Sequence, residues 1–336
     1  MRRTPPHAVV IGTGLSGLAA ARALRNRGEL RITLIDLKKR VGASVSTHRA
    51  GPLEIQIDRG CVGTLDDPAD PLWDALGLED ELVPVPMGDA RTWFMFRRAQ
   101  ESVLGAVGMS PDYTLLMQSA VTSVGEFDAA ARAHGFPRFC VCLENGTVLE
   151  SDAVVIAVSA PRAERILRGL SPDAAARLER YRFDTIARVN VVQYTADIDG
   201  KLPAALPADH PITYIARIDH PVRVPEGMTW LQFGMRCDPA VLETRWNPDD
   251  VAAQVTRMFD LPLGLIQPIV SVWPFDEPLE WQDTGFAARM EALHRALPEG
   301  VAVAGSDYIV TNRRPTLTDR IRSGFAAAER VYPPLT

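Results

Sequence analysis

The stretch His7-Ala8-Val9-Val10-Ile11-Gly12-Thr13-Gly14-Leu15-Ser16-Gly17-Leu18-Ala19-Ala20-Ala21-Arg22-Ala23-Leu24 decides how the rest of the chain is read. The apolar run from Ala8 to Ile11 has the composition of a strand buried in a parallel sheet. Gly12, Gly14 and Gly17 then spell G-x-G-x-x-G, and the leucines and alanines after them have helical spacing. Gly12 permits the tight turn, Gly14 lets a pyrophosphate approach the backbone, and Gly17 lets the helix lie close to the strand. The helix start, with Thr13, Leu15 and Ser16 around it, offers amide donors and a positive dipole end to phosphates. Residues 30–35 predict a second strand, closed by Asp36, 24 positions beyond Gly12. An acid there accepts hydrogen bonds from an adenosine ribose. The reading is dinucleotide binding; the alternative is a glycine-rich turn without a ligand.

At 336 residues the chain predicts two lobes rather than one average domain. With 46% hydrophobic and 23% charged residues it has an ordinary globular composition. A net charge of −6 gives no basic footprint for nucleic acid. The four cysteines, Cys61, Cys140, Cys142 and Cys237, include a Cys-Val-Cys step that puts two thiols on one strand face. That is poor geometry for a disulfide or a zinc site, so buried thiols in a reducing compartment are expected. Met1-Arg2-Arg3 before an apolar run imitates a secretory signal, but the glycine motif lies inside that run. The expectation is a cytoplasmic protein without a membrane span.

Ile55-Gln56-Ile57-Asp58-Arg59-Gly60 reads as an alternating strand running into an acid and a glycine. Together with G-x-G-x-x-G, Asp36 and the turn Arg40-Val41-Gly42-Ala43-Ser44, this spacing resembles the FAD-binding lobe of the flavin amine oxidase and protoporphyrinogen oxidase superfamily, its renalase-like branch in particular. Val148 to Ser159 resembles the family's strand that returns to the FAD sheet. Val301-Ala302-Val303-Ala304-Gly305-Ser306-Asp307 resembles its last strand, and residues 321–328 its closing helix. The matched segments are roughly the first 64 residues, 145–167 and 300–331. The turn departs from the family, having Gly42-Ala43-Ser44 where two glycines and a phosphate-binding arginine are usual.

The resemblance implies an α/β fold: a Rossmann-like FAD-binding lobe with an intertwined α+β substrate lobe. Residues 1–64, 107–167 and 300–336 would form the first, and 65–106 and 168–299 the second, with substrate bound between them. It implies non-covalent FAD held by Gly12, Thr13, Gly14, Leu15, Ser16, Gly17, Asp36, Leu37, Arg40, Gly42, Ala43, Ser44, Asp58, Gly60, Val121, Ala157, Val158, Gly305, Ser306, Asp307, Leu317 and Thr318. Lys38 and Lys39 read equally as pyrophosphate contacts or as a solvated turn. Pro315-Thr316-Leu317-Thr318-Asp319 reads as a helix start with a variant capping box, either aimed at the flavin or a plain surface cap.

In the family, the flavin N5 takes a hydride from a small planar or cyclic substrate and O2 reoxidises it, so no side chain is assigned as catalytic. Many amine-oxidising relatives keep a lysine near N5; Lys38, Lys39 and Lys201 do not fit that place. Tyr194, Trp281 and Tyr308 are expected to line the substrate pocket, although tryptophans in 273–286 would serve equally as packing. No metal is implied. The rivals are an amine oxidase proper, and a flavin-binding accessory protein of a biosynthetic pathway. An NAD-only enzyme would not need the Gly305-Ser306-Asp307 segment.

Overall fold

The computed structural model describes residues 5–42, 45, 47–52, 54–98, 100–179, 181–207, 209–238, 247–262, 264–278 and 283–332. By packing, the chain forms two compact units that alternate along the sequence. One comprises residues 1–43, 104–182 and 278–336, the other 44–103 and 183–277. Residues 44–64 pack in the second unit, and 168–182 and the end of the chain from 278 in the first.

The first unit is built on a five-stranded sheet. Its order is Val301–Val303, Ala153–Ile156, β1 (His7–Ile11), β2 (Arg31–Asp36), Thr114–Met117, with every neighbouring pair parallel. All five residues of β1 are buried, because β1 is central and the sheet is covered on both faces. Helix α1 (Leu15–Arg25) follows β1, and its buried face is mostly small: Ser16, Gly17, Ala19, Ala20 and Ala21. That choice lets the C-terminal helix Leu317–Val331 come close. A Cβ on Gly324 would stand 2.2 Å from the Ser16 carbonyl oxygen. A second, antiparallel sheet joins Val121–Glu126, Phe139–Leu143 and Val148–Ser151. Cys140 and Cys142 share one face of the middle strand of this sheet. All four cysteines are free and half-buried rather than buried as expected.

The second unit has a four-stranded sheet ordered Ile212–Ile218, Met228–Arg236, Phe183–Tyr194, Ile269–Pro278. The helix Pro248–Met258, capped by the Asn247 side chain, lies beside it in the sequence. Alternation sorts the strands' side chains onto two cores. Val192, Tyr214, Ala216 and Trp230 pack with Ile55, Ile57, Trp93 and Met95. Val189, Val191, Leu231 and Phe233 pack on Ala252 and Val255 of the helix. Among the described residues, no helix is long and apolar enough to cross a membrane.

Candidate dinucleotide-binding site

The turn between β1 and α1 is shaped by contacts that only glycine allows. Gly12 has φ +104°, and a Cβ there would lie 2.2 Å from the Ala157 carbonyl oxygen. Its amide donates to the Ile35 carbonyl at 2.7 Å, tying the turn to β2. Gly17 brings the first turn of α1 against Gly12, since a Cβ on it would stand 1.9 Å from the Gly12 carbonyl oxygen. Gly14 is the N-cap of α1; it makes no side-chain cap, and no acid sits in the first turn. The helix therefore presents its positive end and unsatisfied amides, which fits the pyrophosphate of a dinucleotide.

Thr13 and Asp36 meet directly above the ends of β1 and β2. The Asp36 Oδ2 accepts from the Thr13 amide at 2.8 Å and from the Thr13 hydroxyl at 2.7 Å, and Oδ1 accepts from the Lys38 amide at 2.8 Å. The turn that follows is anchored back, Gly42 donating 3.0 Å to the Thr13 carbonyl. Gly42 itself has φ +102°. Leu37 and Arg40 are exposed beside it. Ala43 and Ser44 lie outside the described residues.

A second cluster gathers where Val301–Val303 ends. Gly305, at φ +132°, leads into the short 3-10 turn Ser306–Tyr308, and its amide donates 3.1 Å to Ser323 Oγ of the C-terminal helix. The Asp307 Oδ2 accepts 2.8 Å from the Ala160 amide, and Oδ1 accepts 3.0 Å from Ser306 Oγ. Ala160 opens the helix Ala160–Leu167, whose N-cap residue Ser159 provides no side-chain cap, so Asp307 caps that helix from a distance in sequence. Burial pushes the Asp307 carboxyl up from its ordinary range, against the lowering effect of the Ala160 and Ser306 bonds. Tyr181 donates its hydroxyl to the Asp307 carbonyl. Tyr308 is buried and gives its hydroxyl to the Val158 carbonyl at 2.8 Å. Burial, with Asp307 and Tyr181 beside it, holds that phenol well above its usual range.

The C-terminal helix begins with the capping box read from the sequence. Thr316 Oγ1 accepts from the Asp319 amide at 3.3 Å, the Asp319 carboxylate accepts from the Thr316 amide at 2.9 Å, and Arg313 reaches the same carboxylate at 2.6 Å. Thr318 is buried in its first turn.

The expected residues thus fall into groups. Gly12, Thr13, Gly14, Leu15, Ser16, Gly17 and Asp36 come together with Ala157 and Val158, and Gly305 to Tyr308 lie against Val158 and Ala160. Val121 starts its strand, paired with Leu143 in the antiparallel sheet. Asp58 and Gly60 belong to the other unit, where Asp58 is fully buried and already holds three donors of the protein. It accepts from Arg223 at 2.6 Å, from the Thr47 hydroxyl at 2.7 Å and from the Gln100 amide at 3.2 Å. The Gly60 carbonyl takes Gln232 Nε2 at 3.0 Å. Tyr194 ends its strand half exposed, and Trp281 is outside the described residues. What sequence reasoning missed are the bonds from Thr13 to Asp36, and the residues Ser323 and Arg223. No local pattern marks them, because their partners are distant in the chain.

Residues 10–76 match the model of the NAD(P)-binding Rossmann-like domain. Over 91 residues the chain is 32% identical to an L-amino-acid oxidase of Siganus canaliculatus, covering 27% of this chain and 17% of that protein. Over 97% of this chain and 98% of the other, the structure superposes on a putative protoporphyrinogen oxidase from Exiguobacterium sp. 255-15 with a TM-score of 0.76 at 16% identity. The chain has the fold of that protein. A cyclohexylamine oxidase from Brevibacterium oxydans IH-35A agrees, with a TM-score of 0.70 at 13% identity over 99% of this chain and 100% of its own. The superfamily resemblance read from the glycine motif, Asp36 and the segment ending at Asp307 therefore holds at the level of the fold.

Proposed function

We propose that the chain is an FAD-dependent oxidoreductase acting on a small planar or cyclic electron-rich substrate. The observation that carries this reading is the full-length likeness to a putative protoporphyrinogen oxidase and a cyclohexylamine oxidase. The uncapped start of α1 behind Gly12 supports it. Bound FAD supplies the hydride acceptor, with O2 as the final oxidant. In this reading the α1 amides from Leu15 to Gly17 hold the pyrophosphate, and Asp36 holds the adenosine ribose. The start of the C-terminal helix, at Leu317 and Thr318, would offer its positive end to negative charge on the reduced flavin. The first unit is the cofactor lobe and the second the substrate lobe, in a cytoplasmic setting that suits four free thiols. No lysine assists: Lys201 donates its ammonium to the Asp260 carbonyl at 2.7 Å, and Lys38 and Lys39 follow β2.

The test is the visible spectrum of the purified protein, followed by anaerobic titration with candidate substrates. Flavin bands that bleach with a cyclic substrate and return with air support the proposal. A colourless protein that takes up NAD but not FAD overturns it. The 32% identity to an L-amino-acid oxidase favours a second reading, an amine oxidase proper. Bleaching by primary amines or amino acids alone would establish that reading in its place.

A further inference from the structure

We propose that Thr13 restricts Asp36 to one ligand hydrogen bond, so that the site reads a single hydroxyl of an adenosine ribose. The inference rests on the dinucleotide reading of the turn between β1 and α1, and specifies how that ribose is recognised.

An ionised carboxylate offers about four acceptor positions. Three are filled by the protein itself. Oδ2 takes both the amide and the hydroxyl of Thr13, and Oδ1 takes the Lys38 amide. Among the described residues the Asp36 carboxylate has no other hydrogen bond or ion pair, so one position, on Oδ1, remains. None of the three donors is free to withdraw. Thr13 is fully buried, so its hydroxyl has no water to turn to. Its β-branched side chain is stiff about χ1. Its backbone is held through the neighbouring Gly12–Ile35 bond and by Gly42, which donates to its own carbonyl. The Lys38 amide lies two residues beyond the carboxylate it serves, a turn geometry of short reach. A ribose carries two adjacent hydroxyls, and a carboxylate without other partners accepts one on each oxygen. With Oδ2 saturated, the second hydroxyl finds no acceptor on Asp36.

Isothermal titration of the full-length, nucleotide-stripped protein with ADP, 2′-deoxy-ADP and 3′-deoxy-ADP tests this, because ADP is the half common to FAD and NAD. One deoxy analogue should bind about tenfold more weakly than ADP, and the other within about twofold. Thr13→Val keeps the shape and the amide but removes the hydroxyl, which opens a position on Oδ2. In that variant the tolerated analogue should lose affinity as well, while Thr13→Ser should retain the wild-type pattern. A purely structural role for Thr13 would lower the melting temperature and scale all three affinities together, leaving their ratios unchanged; that result overturns the proposal. Equal losses for both analogues in the wild-type protein overturn it too. Failure of ADP, FAD and NAD alike to bind removes the dinucleotide reading itself, and this proposal with it.

Discussion

The carboxylate of Asp58 and the guanidinium of Arg223 form an ion pair at 2.6 Å with both side chains at zero exposure. Arg223 also donates to the carbonyls of Gln56, Phe96 and Arg98 and lies over the Trp230 ring at 5.1 Å. A buried pair contributes little against well-packed apolar residues, but breaking one partner leaves an uncompensated charge.

Arg223→Met should therefore destabilise the protein by about 3–5 kcal/mol. Asp58→Asn, which removes the charge and keeps a polar group, should cost less, and the double variant less than the sum. Urea unfolding of the three variants measures the coupling. Additive losses would show that the pair is not the unit that matters.

Gly17 and Gly324 are contact glycines. A methyl group on either would enter a carbonyl oxygen, at 1.9 Å from Gly12 and 2.2 Å from Ser16. Gly17→Ala and Gly324→Ala should each lose at least about 2 kcal/mol, the upper part of the range for overpacking, because backbone rather than a pliable side chain must move. Gly77→Ala is the control for an uncrowded glycine, having nothing within 4 Å, although its φ of +68° carries a strain of its own.

At the start of the C-terminal helix, Thr316→Ala should cost about 0.5–2 kcal/mol by removing the cap. Arg313→Ala should cost less than about 1 kcal/mol, since Arg313 is half exposed to solvent. Thermal melts rank the two, and a larger loss at Arg313 would contradict the assignment.

His7 and His294 set a pH dependence. Burial lowers both imidazoles from their ordinary value of 6.5. At His7 a bond to the Glu150 carbonyl opposes this in part, and at His294 the neighbouring Arg330 adds to it. The folded state then binds fewer protons than the unfolded chain between each depressed value and 6.5. Stability is complete above pH 6.5 and falls as the pH drops through the folded values. His7→Asn should flatten the fall between neutral and mildly acidic pH in denaturant melts. An unchanged slope would remove His7 from the cause.

Local pattern is enough for the elements that carry the nucleotide turn. The run Ala8–Ile11, the three glycines and the acid at Asp36 obey short-range rules, so strand, turn, helix and strand are legible in the residues themselves. The capping box at Thr316 and Asp319 is legible for the same reason, its partners being three residues apart. The strands of the second unit announce themselves by β-branched and aromatic alternation.

Tertiary structure alone decided what the polar side chains do. Asp58 and Asp307 sit in motifs that point to a cofactor, yet one is bound by Arg223, 165 residues away, and the other caps a helix 147 residues away. Asp36 does stand at the end of β2, but the donors that orient it include a threonine on the neighbouring strand's turn. A residue's chemistry is written in its type, whereas its available lone pairs depend on which distant donors the packing brings within about 3 Å. Sequence by itself determined the strand, turn, helix and strand of the first unit and where the nucleotide turn lies. Packing determined which donors of the protein its acids already accept from.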